Sequence, residues 1–241
     1  MIDLHTHILP LVDDGSESIE ASLSVLKKYQ KKGVKAVVLT PHYKGKYKKH
    51  GKELYKLFSE FCSVVKERGI DIKLYLGQEI HINSKIISEL KEEKLFSINN
   101  SKYVLLEPEH SRKHDLTESV YSLIRAGYIP IIAHVERYAY LTLNKVKELK
   151  ELGALIQVNA GSVVAINRMR RKKRAKTLIK NGLVDFIASD AHVNRKNYFF
   201  RAYRRIKLRF GKTFANELFY LNASKILKLN YPAGEKTVNI I

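Results

Sequence analysis

The sequence predicts an α/β protein built on a parallel sheet. Seven short apolar runs, each rich in β-branched residues, alternate with stretches of helical periodicity. A glycine stands between helix and strand at five junctions, Gly33, Gly69, Gly127, Gly153 and Gly182, where a helix C-cap needs a positive φ. No G-x-G-x-x-G follows the first run and no G-x-x-x-x-G-K-[ST] occurs anywhere, so nucleotide-binding open sheets lose support. An open doubly wound sheet and a closed barrel both remain, with right-handed crossovers in either.

The elements follow in order. Strands are expected at 2–5, 34–40 (VKAVVLT), 71–79 (DIKLYLGQE), 103–107 (YVLLE), 128–134 (YIPIIAH), 154–160 (ALIQVNA) and 184–190 (VDFIASD). Helices are expected at 17–32, 51–68, 84–93, 115–126, 142–152 and 171–181, with two more at 197–210 and 213–228. The second of these is marked as one amphipathic helix by Leu54, Leu57, Phe58, Phe61, Val64 and Val65. No linker, repeat or low-complexity tract interrupts the series, so residues 1–241 are expected to form a single domain.

Composition bounds the function. Hydrophobic residues make up 45% and charged residues 28%, an ordinary globular balance. No apolar stretch is long enough to span a bilayer, and no basic start leads into an apolar signal region. A single cysteine, Cys62, leaves no internal disulfide; a cytoplasmic protein with no stable membrane insertion is expected. The net charge of +20 favours anionic partners without choosing among phosphorylated substrates, nucleic acid and acidic membrane.

Chemistry-bearing residues fall at the strand ends. His5 and His7 close the first run, His42 follows the second, Glu79 ends the third, Glu107 the fourth and His134 the fifth; Asp190 and His192 end the seventh. The sixth finishes at Gln157 and Asn159 instead. Two imidazoles at i and i+2 on a strand point the same way. In a parallel barrel all strand C-termini share one face, where active sites are built. Any one of these residues alone reads as a cap or a solvated loop group, but their joint occurrence does not. Imidazole mixed with carboxylate suits Mn, Fe or Zn, and with Asp14 the nine candidates suffice for two or three ions. Closely spaced ions of this kind are typical of phosphoryl-transfer hydrolases.

The stretches D-L-H-T-H, T-P-H (40–42), G-Q-E-I (77–80), H-V-E-R (134–137) and S-D-A-H (189–192) resemble the polymerase and histidinol phosphatase (PHP) superfamily. The opening H-I-L-P-x-V-D-D-G-S resembles its branch of manganese-dependent bacterial protein-tyrosine phosphatases of capsule and exopolysaccharide operons. The resemblance implies a distorted seven-stranded (β/α)7 TIM-like barrel and three divalent metal ions, manganese first and Fe or Zn as alternatives. It assigns His5, His7, Glu79 and Asp190 to the first ion, with Glu79 bridging to a second held by Glu107 and His134. Asp14, His42 and His192 hold the third, and Asp13 receives no task. Arg137 matches a phosphate-contacting arginine. Three departures stand out: Val135 replaces a usual proline, Leu11 replaces a usual glycine, and V-N-R-K-N-Y replaces an arginine–proline context that carries a second phosphate-binding arginine. Arg195 is taken as the substitute.

The implied reaction is hydrolysis of a phosphomonoester by in-line attack of a metal-bridging hydroxide, without a covalent intermediate. The implied substrate is a phosphotyrosine protein, the C-terminal tail of a tyrosine kinase of polysaccharide synthesis, rather than nucleic acid. Rival readings are a phosphatase for histidinol phosphate or another small phosphomonoester, a PHP-type nuclease, and a basic binding module with a vestigial ligand set.

Two further motifs need weighing. Cys62 to Arg68 has the C-x5-R spacing of cysteine-dependent tyrosine phosphatases. It lacks the glycines of a phosphate-cradling loop and lies inside a predicted helix whose N–H groups are already bonded, so Cys62 is expected to be structural. The run R-M-R-R-K-K-R-A-K (168–176) is expected to be the solvated first turns of a helix, since no aromatics interleave it for base stacking. Arg201, Arg204, Arg205 and Arg209 extend the same positive field.

Overall fold

The computed structural model describes residues 1–110, 116–164 and 169–229; Arg168 and the first position of the helix expected from 115 lie outside them. The architecture is a curled parallel sheet with helices packed outside it. The strands are β1 (Ile2–Thr6), β2 (Ala36–Leu39), β3 (His42–Tyr43), β4 (Lys73–Leu76), β5 (Glu79–His81), β6 (Tyr103–Glu107), β7 (Ile129–Ile132), β8 (Leu155–Asn159) and β9 (Phe186–Ala188). The principal helices are α1 (Ile19–Lys31), α2 (Gly51–Glu67), α3 (Ile86–Lys91), α4 (Leu116–Arg125), α5 (Leu143–Glu151), α6 (Ala160–Val164), α7 (Met169–Lys180) and α8 (Phe199–Phe210). The chain then turns through α9 (Lys212–Asn216), a π turn at Glu217–Leu221 and α10 (Asn222–Ile226).

Seven runs were expected as seven strands; among the described residues they make nine. The second run continues past a break into β3, and the third splits into β4 and β5. The cause is local. Pro41 has no N–H to give a ladder, and the break in β2–β3 faces the break at Gly77–Gln78 in β4–β5, bridged by Gly77 N–H to Leu39 O (2.9 Å) and Glu79 N–H to Pro41 O (3.1 Å). The ladders therefore fall into two sheets, β1–β2–β4 and β3–β5–β6–β7–β8–β9, all pairs parallel. Their outer edges approach each other at a parallel bridge between Thr6 and Ala191. His7 N–H donates to Ala191 O (2.9 Å) and Asp190 N–H to His5 O (3.0 Å) there, so the first and last strands bring their metal-ligand candidates side by side.

The predicted glycine punctuation appears as positive φ at Gly33, Gly69, Gly127, Gly153 and Gly182. Ser18 Oγ accepts from Ala21 N–H to open α1, and Thr142 Oγ1 from Lys145 N–H to open α5. One buried cluster joins the sheet to the surrounding helices through Leu26, Leu54, Val120 and Val146 against Val37, Leu106 and Ile156. A second packs Ile2, Leu4, Ala36, Val38 and Ile131 against Ala223 and Ile226 of α10. The core thus lies on both sides of the strands and holds their ends in fixed register.

Candidate metal centre

His5 and His7 converge as their spacing on β1 requires: their Nε2 atoms are 3.0 Å apart and both rings are buried. Glu79, first residue of β5, brings Oε2 to 3.5 Å from His5 Nε2 and 3.3 Å from His7 Nε2. Asp190 Oδ1 lies 3.9 and 3.5 Å from the same two nitrogens. His134 Nε2 sits 2.7 Å from Glu79 Oε1, and His42 Nδ1 2.8 Å from Glu79 Oε2. Asp14 Oδ1 is 3.6 Å from Nε2 of both His42 and His192. Glu107 groups with His42 and Glu79 but is also clasped by Lys44, whose Nζ is 3.0 Å from each carboxylate oxygen. All nine candidate side chains come to one place.

The sites fit divalent ions. Two ligands bound at ~2.1 Å to one ion stand roughly 3.0–3.5 Å apart, the range at which His5 and His7 Nε2 stand from Glu79 Oε2. That oxygen, although surrounded by imidazoles, makes no hydrogen bond, and neither do the buried His42 Nδ1 and His192 Nε2. Buried polar atoms are normally paired; these make no hydrogen bond although potential metal-ligand atoms stand 2.8–3.6 Å from them.

Charge agrees with geometry. Burial alone would raise the Asp190 carboxyl, but His5, His7 and His134 hold it down to about 2. Burial opposes ionisation of Glu79 as well, yet His5 and His134 hold it well below the carboxylate range. Burial takes His192 down to about 4, helped by His7; with Nδ1–H donated to Asp190 O, the lone pair on Nε2 is free. Burial disfavours charge on His7 too, but Asp13 and Glu79 raise it well above the ordinary imidazole value. A buried excess of carboxylate attracts positive charge, which a metal ion supplies.

Residues that the sequence reading passed over orient this set. Asp13, left without a task, accepts from His7 Nδ1 (2.7 Å) and His42 N–H (2.9 Å) on Oδ2 and from Gly15 N–H (2.9 Å) on Oδ1. That bond places a proton on Nδ1 and leaves Nε2 as the nitrogen that could face an ion. Gln157 does the same for His5, its Oε1 lying 3.2 Å from Nδ1 while also accepting from His134 N–H (2.8 Å). Asn159 Nδ2 donates to Asp190 Oδ2 (2.6 Å). The sixth run therefore contributes to the site through amides, and Gln157 and Asn159 at i, i+2 on a strand end were the signal.

The backbone is bent to serve the same cluster. His134 and Asp190 adopt positive φ, 35° and 52°, a cost that persists only where the surroundings hold it. Gly15 passes so close to His7 that a Cβ would sit 1.9 Å from His7 O. Leu11, where the resembled family carries glycine, has φ 62° and is 67% exposed; the left-handed backbone explains why glycine is usual there. Val135 opens the 3₁₀ turn Val135–Arg137, a first-turn position that suits proline because its N–H has no intrahelical partner.

The two candidate arginines reach the cluster from different segments. Arg137 Nη1 lies 3.5 Å from Asp190 Oδ2, and its Nε is buried without a partner. Arg195 Nη2 lies 3.1 Å from Asp14 Oδ2 on a more open side chain. Both line a cleft of about 530 Å³ with Asn159, Ser189, Asp190, Lys196 and Tyr198. The basic run was expected to be solvated, and Arg174 departs from that. Its guanidinium donates to the carbonyls of Glu136 (3.2 Å), Tyr138 (2.7 Å) and Leu141 (2.8 Å), clamping the loop that carries His134 and Arg137.

The chain is similar to known proteins over nearly its whole length. Residues 1–228 match the family model described as capsular polysaccharide synthesis, CpsB/CapC. It is 33% identical over 242 residues to the tyrosine-protein phosphatase CpsB of Streptococcus agalactiae, covering 96% of this chain and 100% of that one. It is 32% identical over 235 residues to the tyrosine-protein phosphatase YwqE of Bacillus subtilis, covering 95% and 92%. A solved structure from work on YwqE of Bacillus subtilis and CpsB of Streptococcus pneumoniae, described as unique metal-dependent tyrosine phosphatases, superposes with a TM-score of 0.88 at 29% identity, covering 95% of this chain and 94% of that one.

Proposed function

The chain belongs to the CpsB/CapC family of capsular polysaccharide synthesis, and we propose from that premise that it is a metal-dependent phosphatase acting on phosphotyrosine in proteins. The observation that carries the reading is the convergence of buried imidazole nitrogens on Glu79 Oε2, beside Asp190, which lines an arginine-bearing cleft. We infer three divalent ions, manganese by preference. His5, His7, Glu79 and Asp190 hold the first, Glu79, Glu107 and His134 the second, and Asp14, His42 and His192 the third. We also infer that the curled sheet is a distorted seven-position barrel, β2 with β3 and β4 with β5 each counting once.

Bound ions supply a water of lowered pKa and positive charge for the phosphoryl oxygens. The chain's own residues bind and orient. Arg137, anchored on Asp190, and Arg195, anchored on Asp14, present guanidinium groups to a phosphate in the cleft. Asp13, Gln157 and Asn159 hold the ligand side chains in their working rotamers and tautomers. A tyrosine leaves as a phenol with pKa about 10, so it needs less proton donation than an alkyl alcohol. The substrate we assign is the phosphorylated tail of a tyrosine kinase of polysaccharide synthesis.

The test compares rates on a phosphotyrosine peptide, histidinol phosphate and a 3′-ended oligonucleotide, before and after chelation and Mn²⁺ repletion. We expect the peptide to be turned over fastest, activity to vanish on chelation, and Mn²⁺ to restore it. Full activity after complete metal removal sinks the reading, and preference for either other substrate moves it to that rival.

A further inference from the structure

The rim cleft does not end at the metal ligands. At two places the next residue in the chain lines a second, narrower groove: Ser162 faces the cleft and Val163 the groove, and Arg171 faces the cleft and Lys172 the groove. The groove, about 40 Å³, lies between α7 and α8. Buried Ile179 and Ile206 form its base, while Lys172 and Lys176 of α7 and Arg205 and Arg209 of α8 line it with charge. None of these four cations has a carboxylate partner among the described residues, although Lys150 pairs with Asp185 and Arg68 with Glu20 elsewhere. Arg174, between Lys172 and Lys176 in sequence, is instead consumed by backbone carbonyls. The basic run is thus divided between a structural clamp and an uncompensated lining.

Four like charges along one concave surface repel each other, and an anion placed among them relieves that repulsion. The spacing is informative. Lys172 and Lys176, like Arg205 and Arg209, are four residues apart on a helix, a rise of ~6 Å. An extended peptide places side chains two residues apart on one face, ~6.6 Å along its axis. We propose that the α7–α8 groove binds an extended acidic stretch of the substrate protein beside its phosphotyrosine, with carboxylates or further phosphates at alternate positions. The inference rests on the phosphotyrosine reading of the cleft. A peptide suits the surface better than a lipid bilayer does, because the lining is concave with a buried base and is reached from the cleft through neighbouring residues of the same helices.

Two synthetic phosphotyrosine peptides test this, one with Glu at alternate flanking positions and one with Gln there. For the protein as isolated we expect kcat/KM to favour the acidic peptide about tenfold at low salt and much less at 0.5 M salt, where the Debye length falls to ~4 Å. Arg205→Gln with Arg209→Gln, and separately Lys172→Gln with Lys176→Gln, should cut that preference to about threefold or less. Lys27→Gln with Lys28→Gln on α1 removes the same net charge and should keep it. The proposal is overturned if the unmodified protein shows no preference, if both groove variants retain it, or if the α1 control loses it equally. Phosphatidylglycerol vesicles serve as the competing probe: vesicle binding lost in the groove variants with peptide preference intact assigns the groove to lipid instead. If neither peptide is turned over, the phosphotyrosine reading fails on its own. Anisotropy with the acidic peptide carrying plain tyrosine then decides the groove, which must bind more weakly in the variants.

Discussion

Two hollows of almost equal size, about 530 Å³ at the strand ends and about 540 Å³ beside Cys62, differ in everything that bears on catalysis. Each sits by a sequence motif associated with tyrosine phosphatases. At the strand ends, four imidazoles, from β1 and its end, β3 and the loop after β7, converge on Glu79, and two guanidinium groups reach the neighbouring Asp190 and Asp14. Beside α2, burial pushes the Cys62 thiol up to about 11, and Arg68 spends its guanidinium on Glu20 at 2.8 Å. No ring of backbone N–H groups faces Cys62, because it lies within the helix Gly51–Glu67. The lesson is that spacing in sequence locates chemistry only where the fold turns polar atoms toward a common point.

The sharpest way to break this comparison is to change one residue in each hollow. Glu79→Gln removes the charge that touches four imidazoles, and we expect kcat/KM on a phosphotyrosine peptide to fall ~10³-fold or more with loss of bound metal. Cys62→Ser should leave both turnover and metal content intact. Native Cys62 should also alkylate slowly at pH 8, where a thiol of pKa near 11 is only ~10⁻³ ionised, with a rate that climbs about tenfold per pH unit toward 11. The sign follows from the thiolate being the nucleophile. If Cys62→Ser abolished activity with metal retained, the two hollows would exchange roles.

A smaller effect probes how the working hollow is built. Asp13→Ala deletes the partner of His7 Nδ1 and His42 N–H without removing a residue assigned above to an ion. We expect metal affinity or activity to drop ~10–100-fold, the usual cost of losing an orienting carboxylate. Asp14→Ala should empty the third site first. Equal metal titrations for the two variants would show that the adjacent aspartates are not divided in this way.

The residues proposed as ligands, Asp14 apart, were legible in the sequence because each falls at or just past the end of an apolar run, and such ends are readable from the runs and the glycine breaks; Asp14, in the loop between β1 and α1, was assigned through the family resemblance. Their supports were not. Asp13 reads as one of a pair of loop aspartates until His7 folds over it, and Gln157 as a strand residue until His5 and His134 reach it from β1 and the end of β7. The split of two strands was half visible: Pro41 was in plain sight, but only register shows that it faces the Gly77–Gln78 break across the ladder. The basic run was misjudged in one residue, Arg174, since a composition of solvated type says nothing about carbonyls brought in from the loop 136–141.

The smallest expected effect concerns the opening loop, where the working hollow carries a strain that the Cys62 helix lacks. Leu11 holds a left-handed backbone that costs an L-residue roughly 1–2 kcal/mol, and its 67% exposure means little burial offsets that. Glycine removes the steric penalty but gives back roughly 0.5–1 kcal/mol through the entropy of the unfolded chain. Leu11→Gly should therefore stabilise by up to about 1.5 kcal/mol, raising the melting temperature by up to roughly 6 °C in a chain of this size. The bond from Leu11 N–H to Ser16 O (2.9 Å) spans the loop that carries Asp13 and Asp14, and glycine can keep it. Melting curves at fixed Mn²⁺ and in chelator should both shift upward. A lower melting temperature in chelator would show that the Leu11 side chain, and not only its backbone, holds the loop in place.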